Sequence, residues 1–87
     1  MRYRIELRPA AVRDLAALPR QILRQIDAKI LALARDPKPP GYKKLEGVEK
    51  FYRIRSGGYR IFYQVHDEVF LVLVPRVKHR RDAQDSE

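Results

Sequence analysis

Three arginines in one short segment, Arg53, Arg55 and Arg60, are the residues of this sequence with the clearest chemical potential. They lie in FYRIRSGGYRIFYQV, where two runs of alternating residue type flank a glycine pair. A glycine pair between such runs predicts a two-residue β-hairpin, in which Arg55 faces Arg60. Facing like charges destabilise a sheet, whereas the planar guanidinium suits phosphate oxygens. The pattern therefore predicts an anion between these side chains, and the phosphodiester backbone of a nucleic acid is the obvious candidate.

The predicted hairpin sorts its side chains onto two faces. Because side chains alternate along a strand, one face is apolar and can take helices; it holds Tyr52, Ile54, Ile61 and Tyr63. The three arginines share the other face. Phe62 is expected there too, directly opposite Arg53, where an aromatic ring is able to stack on a base or to pack against a partner.

The residues before the hairpin predict a strand and two helices that must position it. Residues 3–7 alternate between apolar and charged, which predicts a first strand. Pro9 suits the first turn of a short helix, and Pro19 interrupts that helix. A second helix is predicted from Pro19 to about Arg35, because its isoleucines and leucines recur at spacings of three and four and form a core stripe.

The remaining segments predict a loop, a turn and a last strand. Residues 36–41, DPKPPG, cannot continue a helix because closely spaced prolines lack the backbone donor. A second turn is predicted at 66–68, followed by an interior strand at 69–74 that Pro75 ends. The order predicts a single α+β domain over residues 1–87, with the helices on one face of a mostly antiparallel four-stranded sheet and a polar tail, about 82–87, that frays.

Composition favours a polyanionic or acidic partner. Nineteen Lys and Arg against eleven Asp and Glu give a net charge of +8 in 87 residues. A basic surface that is merely solvated is the alternative. The chain has no cysteine, and it lacks the apolar run of a signal peptide or a membrane span, so we expect a cytoplasmic protein without a membrane association.

Three segments together resemble one family of bacterial and archaeal proteins. These are ARDPKPPGYKKLEG before the hairpin, YRIRSGGYRIFYQV within it and VPRVKHRR near the end. The combination resembles the RelE/ParE superfamily of toxins from toxin–antitoxin systems, over nearly the whole chain. The resemblance implies a RelE-like fold and a toxin that cuts messenger RNA on the ribosome. It also implies an acidic RelB-like antitoxin, in a plausible heterotetramer that meets operator DNA only through the antitoxin.

The resemblance also assigns roles to individual residues. Arg60 matches the family's hairpin arginine and is expected to hold the scissile phosphate, while Arg80 matches the arginine of the closing motif. Arg53 and Arg55 occupy positions where relatives carry lysine or arginine. Further contacts with RNA are expected from Phe62 and from six other basic residues: Lys43, Lys44, Lys50, Arg76, Lys78 and Arg81.

RNA cleavage of this kind needs neither a protein nucleophile nor a metal. The adjacent 2′-hydroxyl attacks phosphorus, and positive charge stabilises the phosphorane. His66 and His79 are not spaced with acidic residues as a metal-ligand set, so no metal or other cofactor is expected. Many relatives carry a tyrosine shortly after the closing arginine, where this chain has Gln84 and Ser86. His79 is a candidate to replace it, because imidazole exchanges protons near neutral pH.

Three alternatives stay open at this stage. The arginines of the hairpin are able to form ordinary surface ion pairs with Glu46, Glu49 or another carboxylate. A ParE-like toxin with the same fold, which disables DNA gyrase without cutting RNA, is the second alternative, although ParE-type proteins tend to lack the full arginine set. It is also compatible with an inactive relative that serves only as a co-repressor together with its antitoxin.

Overall fold

The computed structural model describes residues 2–47 and 49–81. This part of the chain forms two helices and one five-stranded sheet of order β1-β5-β4-β3-β2. The elements are β1 (Arg4–Leu7), α1 (Pro9–Ala16), α2 (Arg20–Ala32), β2 (Lys43–Lys44), β3 (Phe51–Ser56), β4 (Tyr59–His66) and β5 (Leu71–His79), with a 3₁₀ turn at Asp67–Val69. Strand β1 runs parallel to β5, and the other pairs are antiparallel. The α+β class is confirmed. The sheet has one strand more than predicted, because β2 is too short and too polar to produce a strand pattern.

Both helices pack on one face of the sheet. Helix α1 begins at Pro9, whose missing N–H costs nothing in a first turn, and it buries Ala11 and Leu15, one turn apart. Helix α2 follows Pro19 and ends at Ala32, three residues before the predicted end. The core that these helices complete with the sheet includes Ile26, Ile30, Ile54, Ile61, Tyr63, Val72 and Val74. No helix in the described residues is long and apolar enough to cross a bilayer.

The register of the β3–β4 hairpin is the predicted one. Ser56 faces Tyr59, Arg55 faces Arg60 and Arg53 faces Phe62. Gly57 has a φ of +59°, whereas Gly58 is not left-handed. A positive φ at the first central residue alone is typical of a type II′ turn, whose twist matches that of the flanking strands. The hairpin therefore places its arginines on the face opposite the helices.

Strand β5 continues through Pro75, which the sequence analysis expected to end it. Two features accommodate the proline. Strand β1 pairs only as far as Val74, so Pro75 lies at an edge where no neighbouring strand needs its missing N–H. The β4–β5 register also shifts by one residue in this region, between Phe62 and Gln64. The start of β5 differs as well, since Val69 belongs to the 3₁₀ turn. The predicted fraying of residues 82–87 lies outside the described residues.

Candidate nucleic-acid interface

Three cations line up across the sheet on the face away from the helices. In the register, Arg55 of β3 faces Arg60 of β4, which in turn faces Lys78 of β5. Directly opposed residues have Cβ atoms about 4.5–5.5 Å apart. We call Arg55, Arg60 and Lys78 the basic row. It concentrates three positive charges within the reach of one or two phosphate groups.

A second set of residues lies beside the basic row. Lys43 of β2 faces Arg53 of β3, and Arg53 faces Phe62 of β4. Arg53 is 4% exposed, and Phe62 is half-buried. These residues and the basic row together form what we call the arginine face. Phe62 therefore lies where the sequence analysis placed it, as an aromatic ring among cations.

Arg80 extends the arginine face beyond the end of β5. Its backbone N–H donates to the carbonyl of Gly58 at 2.8 Å, which continues the β4–β5 register by one more position past Tyr59–His79. By alternation, Arg80 belongs to the same side as Lys78, two residues earlier. Arg55, Arg60 and Arg80 thus lie near the hairpin-turn end of the sheet, and Arg53 lies two residues further along β3. That these four arginines act together stays a prediction.

Arg55 differs in charge neutralisation from some other basic residues of the sheet. Arg55 is exposed and makes no ion pair with a carboxylate of residues 2–47 and 49–81. Neither Glu46 nor Glu49 therefore neutralises it, in contrast to the ion-pair alternative. Like charges on neighbouring strands repel one another, so a bound anion is the natural counter-charge for Arg55.

Two of the predicted RNA contacts are instead engaged by carboxylates. Lys50 lies at the other end of β3 and donates to Glu68 at 3.0 Å, a hydrogen bond that raises the pKa of Lys50. Arg76 donates through Nε and Nη2 to both carboxylate oxygens of Asp14, at 2.8 and 3.1 Å. The predicted contact Lys44 faces Tyr52, and so it belongs to the helix side of the sheet.

His79 lies on the opposite side of the sheet from Arg60. It faces Tyr59 in the register, and its ring meets the tyrosine ring edge-on, with centroids 5.0 Å apart. Its Nδ1 accepts the backbone N–H of Arg81 at 3.2 Å. The structure therefore does not bring His79 to the basic row, because odd-numbered residues at the end of β5 point towards the helices. Arg81 is exposed just after it.

Asp14 is a structural determinant of the site that sequence reasoning missed. Besides holding Arg76, its carboxylate accepts the backbone N–H of Val77 at 2.9 Å. Partial burial raises the pKa of Asp14, but the hydrogen bonds from Arg76 and Val77 outweigh it and hold that pKa below its ordinary value. Asp14 thereby replaces the missing neighbour of β5 next to Lys78. A proline inside a strand-like run is the only signal that could have suggested an edge needing such a partner.

The described residues hold no group of three or more His, Cys, Asp or Glu side chains arranged to bind a metal ion. Gln84 and Ser86, at which the sequence analysis expected the family's tyrosine to be missing, lie outside the described residues.

Comparison with known proteins connects this geometry to a family. A family model described as the ParE toxin of the type II toxin–antitoxin system parDE matches residues 5–84. The chain belongs to the RelE/ParE superfamily of toxins. Within it, this toxin is RelE-like: it is 32% identical to toxin RelG of Mycobacterium tuberculosis, over 94% of this chain and 95% of that protein. It is 30% identical to the mRNA interferase toxin RelE of Escherichia coli K12, over 97% and 90% of the two chains.

Solved structures of RelE-like toxins share the fold. A RelE–RelB complex from Pyrococcus horikoshii contains a chain that superposes with a TM-score of 0.83 at 30% identity, covering 95% of this toxin and 100% of that chain. A toxin–antitoxin complex from M. tuberculosis gives a TM-score of 0.79 at 32% identity, covering 92% and 100%. This chain is therefore a RelE-like toxin of a toxin–antitoxin module.

Proposed function

We propose that this toxin is a metal-independent endoribonuclease that cleaves messenger RNA on the ribosome. The observation that carries the proposal is the basic row, which aligns Arg55, Arg60 and Lys78 across three strands while Arg55 lacks a carboxylate partner among the described residues. The name of the E. coli relative, an mRNA interferase, supports the same activity.

The arginine face suits a reaction in which the RNA supplies its own nucleophile. The 2′-hydroxyl attacks the neighbouring phosphorus, the bond to the 5′-oxygen breaks, and a 2′,3′-cyclic phosphate forms. Arg60, at the centre of the basic row, holds the non-bridging oxygens as negative charge grows on them. Arg80 faces the same phosphate or the leaving oxygen. Arg55 and Lys78 hold the phosphates on either side.

Proton transfer is the step of the reaction to which the side chains of the arginine face are least suited. Arginine and lysine remain charged at neutral pH, and His79 lies on the helix side. His66 lies on the arginine side but six residues from Arg60 along β4, about 20 Å away at 3.3 Å per residue. General acid–base catalysis contributes about 10² to 10⁴ in rate. We therefore propose that the ribosome aligns the RNA and supplies this assistance, so that free RNA is cut slowly.

Single substitutions test the nuclease proposal. Replacing Arg60 or Arg80 with alanine removes positive charge where the transition state gains negative charge, so cleavage should fall about 10²- to 10³-fold. The measurement is primer extension on cellular transcripts after induction, together with growth. Arg24→Ala is a matched control, because Arg24 is an exposed cation on α2 away from the arginine face. Thermal unfolding checks that each variant folds. Persistent cleavage in both Arg60→Ala and Arg80→Ala would refute the assignment.

We also propose that an acidic RelB-like antitoxin covers this toxin and neutralises its charge. The relatives from P. horikoshii and M. tuberculosis were solved as toxin–antitoxin complexes. The net charge of +8 favours an acidic partner. A partly disordered chain that folds on binding is able to wrap a large surface.

The matching ParE family model favours one second candidate, a toxin that inhibits DNA gyrase without cutting RNA. A supercoiling assay with purified gyrase separates the two. Inhibition of supercoiling, combined with intact transcripts and an SOS response in cells, would favour the ParE-like activity. Codon-linked cuts with normal supercoiling favour the nuclease.

A further inference from the structure

A basic cleft continues the arginine face around the edge of the sheet. It has a volume of about 670 Å³ and lies between α2, the proline-rich loop and β3. Four cations line it: Lys29 from α2, Lys43 from β2, and Arg53 and Arg55 from β3. Three of them already belong to the arginine face, so the new participant is Lys29.

A second, adjoining cleft extends this one along α2 towards the hairpin turn. It has a volume of about 470 Å³ and shares Lys29 and Arg55 with the first cleft, while Gln25 and Gly57 line its far part. Gln25, Lys29 and Ala32 lie one turn apart on one side of α2. The two clefts therefore form one groove between helix and strand, which we call the edge groove.

The backbone of β3 contributes a donor to the edge groove. Strand β2 pairs with β3 only at Tyr52 and Arg53, so the edge is uncovered from Ile54 to the turn. Residues flanking a two-residue turn bond to each other, which directs the amides of Ser56 and Ile54 towards β4. The alternate residue, Arg55, points its N–H and C=O away from β4, into the groove.

The loop wall of the groove is anchored to the core. The hydroxyl of Tyr63 donates to the carbonyl of Pro37 at 2.7 Å, and burial raises the pKa of Tyr63, which keeps the hydroxyl protonated. This bond holds the proline-rich segment against the sheet. The groove is thus bounded on one side by a tethered loop and on the other by a helix.

The charged side chains among the described residues that line the groove are cations. No carboxylate is among the described residues that line either cleft. Lys29 also lacks an acidic neighbour one turn away on α2, where Gln25, Ile26, Ala32 and Leu33 stand. This contrasts with Lys50 and Arg76, each of which is held by a carboxylate. Positive charge in a concave site attracts a polyanion more strongly than the same charge on a flat surface.

We propose that the edge groove binds a phosphate of single-stranded RNA flanking the scissile phosphate, with the ammonium of Lys29 and the backbone N–H of Arg55 as donors. This proposal rests on the proposed function and adds a path for the RNA. The RNA strand runs from the basic row along Arg55 and Arg53 into the edge groove and reaches Lys29 on α2. Continuity of the groove with the arginine face favours RNA over an acidic peptide. A peptide strand needs several outward-pointing backbone groups, and this uncovered edge offers those of Arg55 alone.

Binding of an uncleavable RNA tests the proposal independently of nuclease activity. The purified toxin is titrated with fully 2′-O-methylated oligonucleotides, which lack the attacking hydroxyl, and fluorescence anisotropy is read at several salt concentrations. Losing one phosphate contact should lower the slope of log K against log salt by about 0.7 for a single strand. We expect this for Lys29→Ala, together with a several-fold weaker affinity.

Arg24→Ala is the matched control, because it removes the same charge from the same exposed helix. Arg24 lies five residues from Lys29, about 140° around the helix, and lines neither cleft. Equal effects of Lys29→Ala and Arg24→Ala on RNA affinity would mean that only net charge matters, and they would overturn the proposal that RNA binds in the edge groove. Unchanged RNA binding by Lys29→Ala, with weaker binding of an acidic peptide, would assign the groove to a protein partner and also overturn it. If Arg60→Ala and Arg80→Ala cells both still cut RNA while Lys29→Ala lowers the salt slope, the catalytic assignment fails and the proposed role of the edge groove stands.

Discussion

At the scale of single residues, Asp14 shows how one carboxylate fixes a functional surface that it does not belong to. It accepts hydrogen bonds from the Val77 N–H and from Nε and Nη2 of Arg76, and its side chain is 18% exposed. These bonds hold β5 at Val77, one residue before Lys78 and beyond Val74, the last residue that pairs with β1. The position of Lys78 opposite Arg60 therefore depends on a residue from helix α1.

Asp14→Ala should lower the free energy of unfolding by about 1–3 kcal/mol, because it leaves the partly buried Val77 N–H without its acceptor. Asp14→Asn is the informative companion, since its amide oxygen is still able to accept that N–H while the charge is lost. Urea unfolding of wild type and the two variants at pH 7 measures the contribution of the hydrogen bond to Val77 and that of the Asp14 charge. Equal stability of wild type and Asp14→Ala would show that the hydrogen bonds of Asp14 contribute nothing to the free energy of unfolding.

The same residue predicts a pH dependence. The pKa of Asp14 is lower in the folded protein than in the unfolded chain, so ionisation favours folding. That stabilisation is fully present above the unfolded pKa, near 4, and is lost as the pH falls through the lower folded pKa. The stability advantage of wild type over Asp14→Asn should therefore shrink as the pH falls below about 4. An advantage that stays constant in this range would contradict the assignment.

At the scale of elements, the hairpin turn aligns the arginines of neighbouring strands. Gly57 has a positive φ and Gly58 does not, although both lie in one two-residue turn. Any change that shifts the register by one residue would move Arg60 from the arginine face to the core face. The turn is therefore as important to the site as the cations that it positions.

Gly57→Ala should cost about 1–2 kcal/mol in unfolding free energy, since a Cβ is strained in the left-handed region. Gly58→Ala is a control in the same turn. Its added Cβ would approach His79 Nε2 at 3.4 Å, an ordinary contact with the end of a side chain. Thermal unfolding of both variants gives the comparison, and a Gly58→Ala cost as large as that of Gly57→Ala would argue against the type II′ turn.

At the scale of the whole molecule, the charge distribution divides the sheet into two faces with different partners. The helix face builds the core, and the other face gathers cations from three consecutive strands and from β2. With a net charge of +8, long-range attraction should accelerate association with an acidic chain. Charge of this kind acts mainly on the association rate.

We therefore expect the association rate constant with the cognate acidic antitoxin to fall steeply as salt rises from 50 to 500 mM, while the dissociation rate changes much less. Stopped-flow fluorescence with a labelled antitoxin measures both rates. Arg24→Ala and Arg55→Ala make a useful pair, since Arg55 belongs to the arginine face and Arg24 does not. A salt-independent association rate would show that charge does not guide the encounter.

The sequence by itself determined the hairpin, its register and the identity of the arginine face. Strand alternation and a Gly-Gly turn are local rules, so they assign Arg53, Arg55, Arg60 and Phe62 to one side without knowledge of the rest of the chain. The apolar stripes of the two helices likewise predicted what lies on the other side.

Only the tertiary structure decided what depends on contacts between distant segments. Pro75 continues a strand because β1 stops at Val74, and Asp14 reaches Val77 across 63 residues of chain. Contacts between distant segments also pair Arg76 with Asp14, so that this predicted RNA contact is engaged by a carboxylate. They likewise place Lys29 and Arg55 in the lining of one groove. Such pairings leave no periodic trace in a sequence, because they are selected by the packing of whole elements rather than by the residues beside them.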